Sequence, residues 1–345
     1  MRTSEKNLTA EEKRGRRCLP VLGLLLLAAF VISFSLGRYG VPVKEVIRIL
    51  VNRLVPLQVT WTKQMETAVI NIRLPRILLA CLVGCCLSAA GAAYQAVFQN
   101  PMASPDILGA SNGAAFGAAL AILTGAASYG ITASAFFFSI LTVAVVFLIA
   151  RLAPGHRIVN LILAGIMISS LFSAGTSYLK LVADPSNQLP AITYWLMGSL
   201  SGAKLKTVGF ILPVMLLGLI PLFLLRWRLN LLTLGEEEAR ALGVHTGRIR
   251  FAVIFSATLV TAASISVAGM IGWVGLVIPH LIRRLTGNNY RFLLPGSYLG
   301  GALFLLIVDN ISRNLMETEI PIGILTAFVG APFFLHLLMR KDKGL

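Results

Sequence analysis

The sequence predicts an all-α polytopic membrane protein with about ten transmembrane helices. Three observations predict it. Hydrophobic residues fill 57% of the 345 positions. Charged residues fill only 13%, about half the ~25% of a soluble domain. The apolar residues also gather into long blocks, as a bilayer core of ~30 Å requires of about 20 residues per helix. This composition excludes a soluble globular enzyme, a disordered chain and a disulfide-rich secreted domain. The formal net charge of +16 does not point to nucleic acid, because the basic residues punctuate apolar blocks and form no polar face.

The first block, 19–36, follows a basic leader, 1–18 (Arg2, Lys6, Lys13, Arg14, Arg16, Arg17). It is long for the core of a signal peptide and lacks a small-x-small cleavage site, so it reads as a retained first helix. Further blocks lie at 74–98, 106–124, 131–150, 159–180, 207–225, 250–268, 272–286, 293–312 and 321–339. The block at 272–286 is short and carries Pro279, which predicts a kink. The blocks form one transmembrane domain, 19–339, with a short tail, 340–345. An even number of spans puts both termini on one side. Placing them in the cytoplasm gives 19 Lys and Arg inside against 11 outside, the favoured bias.

Two connections are too long for simple turns. In 38–73, Val43, Val46, Ile47, Leu50 and Leu54 fall near helical spacing and predict an amphipathic segment on the outer interface. In 226–250, Gly235 and Gly243 bracket a short acidic helix on the cytoplasmic side, with the acid at its N-terminal end, where the helix dipole favours it.

Several features could carry chemistry. Cys81, Cys85 and Cys86 share an apolar helix with no His or carboxylate near in sequence, and read as small buried hydrophobes rather than a metal or redox site, as does Cys18 at the end of the leader. Gly109, Gly113 and Gly117 recur at i, i+4, followed by Ala121; this fits close packing within the chain, a subunit interface or a pore lining. Gln95, Gln99, Asn100, Ser111 and Asn112 gather around the second and third blocks, where amides and hydroxyls suit a hydrated path. Asp309 is the clear acidic residue within a span, with Arg313 four residues on. A helix-end pair, an ion site and a surface role at the outer mouth all fit it. Arg73 and Arg76, in IRLPR, stand on the outer side against the positive-inside tendency. They snorkel to headgroups or bind carboxylates of an acidic partner. The chain has no Walker-A motif and no metalloprotease or serine-hydrolase motif, so ATP hydrolysis by the P-loop route is excluded.

The stretch from Ile72 through QNPMASPDILGASNGAAFGA resembles the signature of FecCD-type permeases, the membrane subunits of importers for iron-siderophores, haem and vitamin B12. YWLMGSLSG (Tyr194–Gly202), LGEEEARALGV (Leu234–Val244) and AGMIGWVGLVIPHLIRRLTG (Ala268–Gly287) match in the same order, so the resemblance covers residues 70–340.

The resemblance implies a type II ABC importer of metal chelates working by alternating access, with an iron-siderophore as the leading cargo and haem or cobalamin as others. It implies as partners a second permease subunit, a homodimer first of all, two cytoplasmic ATPases and an extracytoplasmic binding protein. ATP and magnesium would sit on the ATPases, with no cofactor on this chain. Outer arginines that dock the binding protein correspond to Arg73, Arg76 and Arg313. The ATPase-coupling stretch corresponds to Leu234, Gly235, Glu236, Glu237, Glu238, Ala239, Arg240, Leu242, Gly243 and Val244. The cytoplasmic gate corresponds to Asn100 and Met102, where the family's ENPL is QNPM. A second gate element, Thr-Ser in the vitamin B12 permease, falls on Ile158 and Val159. The competing expectation is a self-sufficient secondary transporter of a small solute, which needs coupling carboxylates near the midplane.

Overall fold

The computed structural model describes residues 10–339 except 38, 54 and 234–244. Each of the ten apolar blocks coincides with a helix, and no strand occurs among the described residues. Helix α1 runs Ala10–Ser35, α2 Val43–Val51 and α3 Lys63–Glu66. A π-helical stretch, Thr67–Arg73, joins α3 to α4 (Leu74–Val97) without a break. A 3-10 turn at Pro105–Leu108 leads into α5 (Ala110–Leu123), α6 (Ser128–Leu152), α7 (Arg157–Val182) and α8 (Gln188–Met197). Then follow α9 (Leu205–Leu232), α10 (Thr246–Ala268), α11 (Val274–Thr286), α12 (Tyr290–Asn314) and α13 (Ile322–Met339).

Among the described residues, seven helices are long and apolar enough to cross a membrane: α1, the continuous helix Lys63–Val97, α6, α7, α9, α10 and α12. The other three blocks form shorter helices, and in two of them irregular backbone takes up part of the block. α5 has 14 residues and starts only after Gly109, which adopts a left-handed φ of 78°. α11 has 13 residues and starts after an extended passage in which Gly269 and Trp273 have φ of 69° and 70°. Pro279 lies inside α11, so the shortness comes from the start of the helix and not from the proline. The segment 38–73 divides in two. Only Val43–Val51 forms a separate helix; from Lys63 onward the chain already belongs to the helix that continues as α4. α2 buries Val46 and Ile49 against the bundle and leaves Val43, Ile47 and Val51 exposed beside them on one wide apolar face, opposite Lys44, Glu45 and Arg48, so the helix is amphipathic.

α4 is the axis of the molecule, enclosed by α9, α10, α11 and α12. Its sequence explains why. From Ser88 to Val97 every residue is buried, and the run Ser-Ala-Ala-Gly-Ala-Ala offers almost no side chain to hold neighbours away. A Cβ on Gly84 would run into the carbonyl of Gly301 on α12, and one on Gly91 into the carbonyl of Gly275 on α11. With lipid as apolar as leucine, close packing of this kind is a main source of helix association. The α5 glycines have a similar task. Gly113 faces Thr142 and Gly117 faces Ser134 and Phe138, all on α6, so this stripe packs within the chain.

Gly91→Val should force α4 away from α11, an overpacking that costs ~1–3 kcal/mol in tight cores. The expected outcome is a melting temperature several degrees lower, or no recovery of folded protein, in detergent. Gly23→Ala, where nothing stands within 4 Å, is the control and should melt like the native chain. Identical melting of both variants would contradict the packing account.

Candidate functional site

Polar side chains concentrate at the two ends of α4 and along one face of α7. At the first end, the π-helical stretch leads into α4 and sets Arg73 and Arg76 on the side facing α1 and α12; π turns of this kind often mark functional positions. Arg76 Nε donates to Asp309 Oδ1 at 2.8 Å, and Arg76 Nη1 donates to both oxygens of Glu319 at 2.8 and 2.9 Å. Arg313 Nε lies 3.5 Å from Asp309 Oδ2, and its Nη2 donates to Ser33 O at 3.2 Å and to Asn310 Oδ1. Arg73 donates to the main-chain carbonyls of Phe34 and Tyr39, where α1 ends.

The structure therefore brings the three arginines together but does not present them on the surface. Arg73, Arg76 and Arg313 are 4%, 5% and 7% exposed, and Asp309 is 0%. Among these groups only Glu319 is appreciably open, with 30% of its side chain exposed. Basic side chains that do face outward near this end include Arg48 and Arg53, each alongside a glutamate, Glu45 and Glu66. Asp309 and Arg313 form the i, i+4 pair that their spacing allows. Sequence reasoning missed Glu319, whose link to Arg76 spans 243 positions, a separation that carries no local signal.

At the opposite end of α4 lies the turn that holds Asn100 and Met102. Asn100 Oδ1 accepts from Met102 N at 2.8 Å and Asn100 O accepts from Ala103 N at 3.0 Å, so the asparagine closes the turn on itself. Met102 projects outward, 46% exposed. Ile158 and Val159 sit in the first turn of α7, Val159 half exposed. The coupling positions, Leu234, Gly235, Glu236, Glu237, Glu238, Ala239, Arg240, Leu242, Gly243 and Val244, lie outside the described residues.

Between α5 and α7 an open cavity of about 670 Å³ is lined by Asp106, Asn112, Ser169, Ser170, Ser173 and Ser177 together with Ile107, Ile162, Ile166 and Ala174. The serines recur at i, i+3/i+4 and i+7, so they share one helical face, and Asp106 accepts from Ser111 Oγ at the mouth of α5. Of the five polar residues that suit a hydrated path by sequence, Asn112 lines this cavity and Ser111 bonds to Asp106, whereas Gln95, Gln99 and Asn100 lie at the end of α4. Asp106 and the α7 serines were not singled out, although hydroxyls at helical spacing in an otherwise apolar span are the signal that finds them. Among the described residues no group of three or more His, Cys, Asp or Glu could hold a metal ion.

A family model for the FecCD transport family matches residues 25–340. The chain belongs to that family. The molybdate import system permease protein MolB of Haemophilus influenzae is 42% identical over 324 residues, 94% of this chain and 95% of the relative. The hemin transport system permease protein HmuU of Yersinia pestis is 40% identical over 285 residues, 79% of this chain and 84% of that protein. A solved structure described as an inward-facing conformation of a metal-chelate type ABC transporter superposes with a TM-score of 0.84 at 40% identity, covering 94% of this chain and 99% of that one. The FecCD chain is thus an ABC-transporter permease subunit and not an enzyme.

Removing the central carboxylate tests the ion network. Asp309→Ala leaves the buried Arg313 guanidinium with no carboxylate, and breaking such a buried pair costs ~3–5 kcal/mol. The variant should melt well below the native permease, and Asp309→Asn, which keeps an acceptor, should fall between them. A native-like melting temperature for Asp309→Ala would mean that the network contributes nothing.

Proposed function

We propose that this permease carries a bulky metal chelate, an iron-siderophore first of all with haem or cobalamin as further candidates, along a path between two copies of the subunit. The observation that carries the reading is the serine-lined cavity on α7. A face on which α7 turns out hydroxyls beside Asn112 of α5 and Asp106 of the turn before it does not suit lipid. A second subunit would close the cavity into a hydrated passage. Its volume of about 670 Å³ lies within the ~300–1,000 Å³ that drug-sized ligands fill, which favours a chelate over a bare ion. The 42% identity to a molybdate permease favours one second reading, an oxyanion cargo.

In this reading the termini are cytoplasmic and transport follows alternating access. Two separate ATPases engage the stretch 234–244, and the turn at Asn100 and Met102 closes the inner end of the passage. An extracytoplasmic binding protein docks at the Arg76 end. Its carboxylates would take the place of Glu319, the exposed flank of the network, on Arg76. The competing secondary transporter gains nothing from Asp309, which is fully buried between two guanidiniums.

The test is uptake into proteoliposomes holding the permease, its ATPase and its binding protein, with ferric siderophores, haemin, cobalamin and molybdate offered in turn. Uptake of a ferric siderophore that stops without ATP is the expected result. Uptake of molybdate alone would establish the oxyanion reading, and uptake by the permease alone under a proton gradient would overturn the ABC mechanism.

A further inference from the structure

The ends of four helices on the Asn100 side are tied by a closed ring of side-chain hydrogen bonds. Gln99 Nε2 donates to Leu232 O at 2.7 Å, joining the turn after α4 to the last turn of α9. On α9, Asn230 Oδ1 accepts from Tyr290 N at 2.8 Å and Asn230 Nδ2 donates to Asn289 Oδ1 at 3.0 Å, joining α9 to the start of α12. Arg283 Nη2 on α11 donates to Tyr290 Oη at 3.5 Å and to Gln95 Oε1 at 2.9 Å, which returns the ring to α4. Gln95 and Tyr290 are 3% and 1% exposed, so this part of the ring is shielded from competing water.

Gln99 differs from the other members. Its φ is 50°, a left-handed conformation that a residue with a Cβ adopts only when its surroundings hold it there. The next residue is Asn100, whose own backbone and side chain close the turn. The acceptor of the Gln99 carboxamide is a carbonyl in the final turn of α9, where helical carbonyls have no partner within the helix. One bond therefore sets the strained residue and the helix end against each other.

We propose that Gln99 is a positioning residue, which holds the turn 99–103 in register with the end of α9 so that the two shift together. Its consequence for transport rests on the reading of this turn as the inner gate; the register itself does not. In this chain the bond to Leu232 O needs a donor, which the carboxamide supplies. Glutamate at this position, nearly the same shape, only accepts when ionised, and its charge faces the negative end of the α9 dipole. Lysine restores a donor and suits that dipole.

The test compares native chain, Gln99→Glu and Gln99→Lys in two measurements. The first is amide hydrogen exchange of the full-length permease in lipid nanodiscs, read at Asn100, Met102 and Ala103. Loss of one hydrogen bond predicts exchange about three- to tenfold faster in Gln99→Glu and near-native exchange in Gln99→Lys. The second is solute transported per ATP hydrolysed in the reconstituted complex. It should fall severalfold in Gln99→Glu, with ATP hydrolysis retained, and recover in Gln99→Lys. Native exchange rates in Gln99→Glu would overturn the proposal. So would faster exchange with unchanged transport per ATP, which marks a merely structural bond. A native complex that shows no ATP-driven uptake would refute the proposed function and leave the exchange measurement to decide the role of Gln99.

Discussion

Asp309 is the carboxylate on which one end of this permease depends. It is fully buried, and it accepts from Arg76 of α4 while standing against Arg313 of its own helix. An isolated carboxylate at such a depth would be very costly, so the two guanidiniums are a condition of its presence. The pairing also sets register. Eight residues along α4 from Arg76 is Gly84, and eight residues back along α12 from Asp309 is Gly301, where the two backbones touch. Eight residues are about 12 Å of helix on each side. The ion pair and the glycine contact are therefore two points of one antiparallel seam. The glycines give closeness without direction, and the ion pair selects which glycines meet.

α4 has the opposite character at its other end. There it is held by neutral amides and one arginine, through Gln95 and Gln99, to two neighbouring helices, α11 and α9. Between the two ends its small residues leave little freedom for bending or sliding. In the proposed function, one end of this clamped helix would meet the binding protein and the other would meet the motion of the ATPases. The cavity beside α7 lies off this axis, on a helix that is mostly exposed, where a second subunit would meet it.

Much of this architecture was legible in the residues. Apolar blocks marked the helices, because burial in lipid demands a continuous run whatever the tertiary packing. Gly113 and Gly117 announced a close contact, and Asp309 with Arg313 announced a pair, because both are local at helical spacing. Partners distant in sequence left no such trace. Nothing near Glu319 shows that it reaches Arg76, and nothing near Gln99 shows that it reaches Leu232. The arginines at the head of α4 read as surface groups because charge is normally exposed. The structure buries them because carboxylates and carbonyls from α1, α12 and the turn after it converge there. The shortness of α5 was equally hidden, since composition does not reveal where left-handed Gly109 delays the helix start.

The central claim is that in the free subunit Arg73, Arg76 and Arg313 are engaged within the fold and are not displayed to solvent. Modification of the membrane-embedded permease with an arginine-selective dicarbonyl, read residue by residue by mass spectrometry, tests this most directly. Arg48 and Arg53, 51% and 61% exposed at the side chain, should react readily while Arg73, Arg76 and Arg313 stay protected. Reaction of those three at the rate of Arg48 would contradict the account.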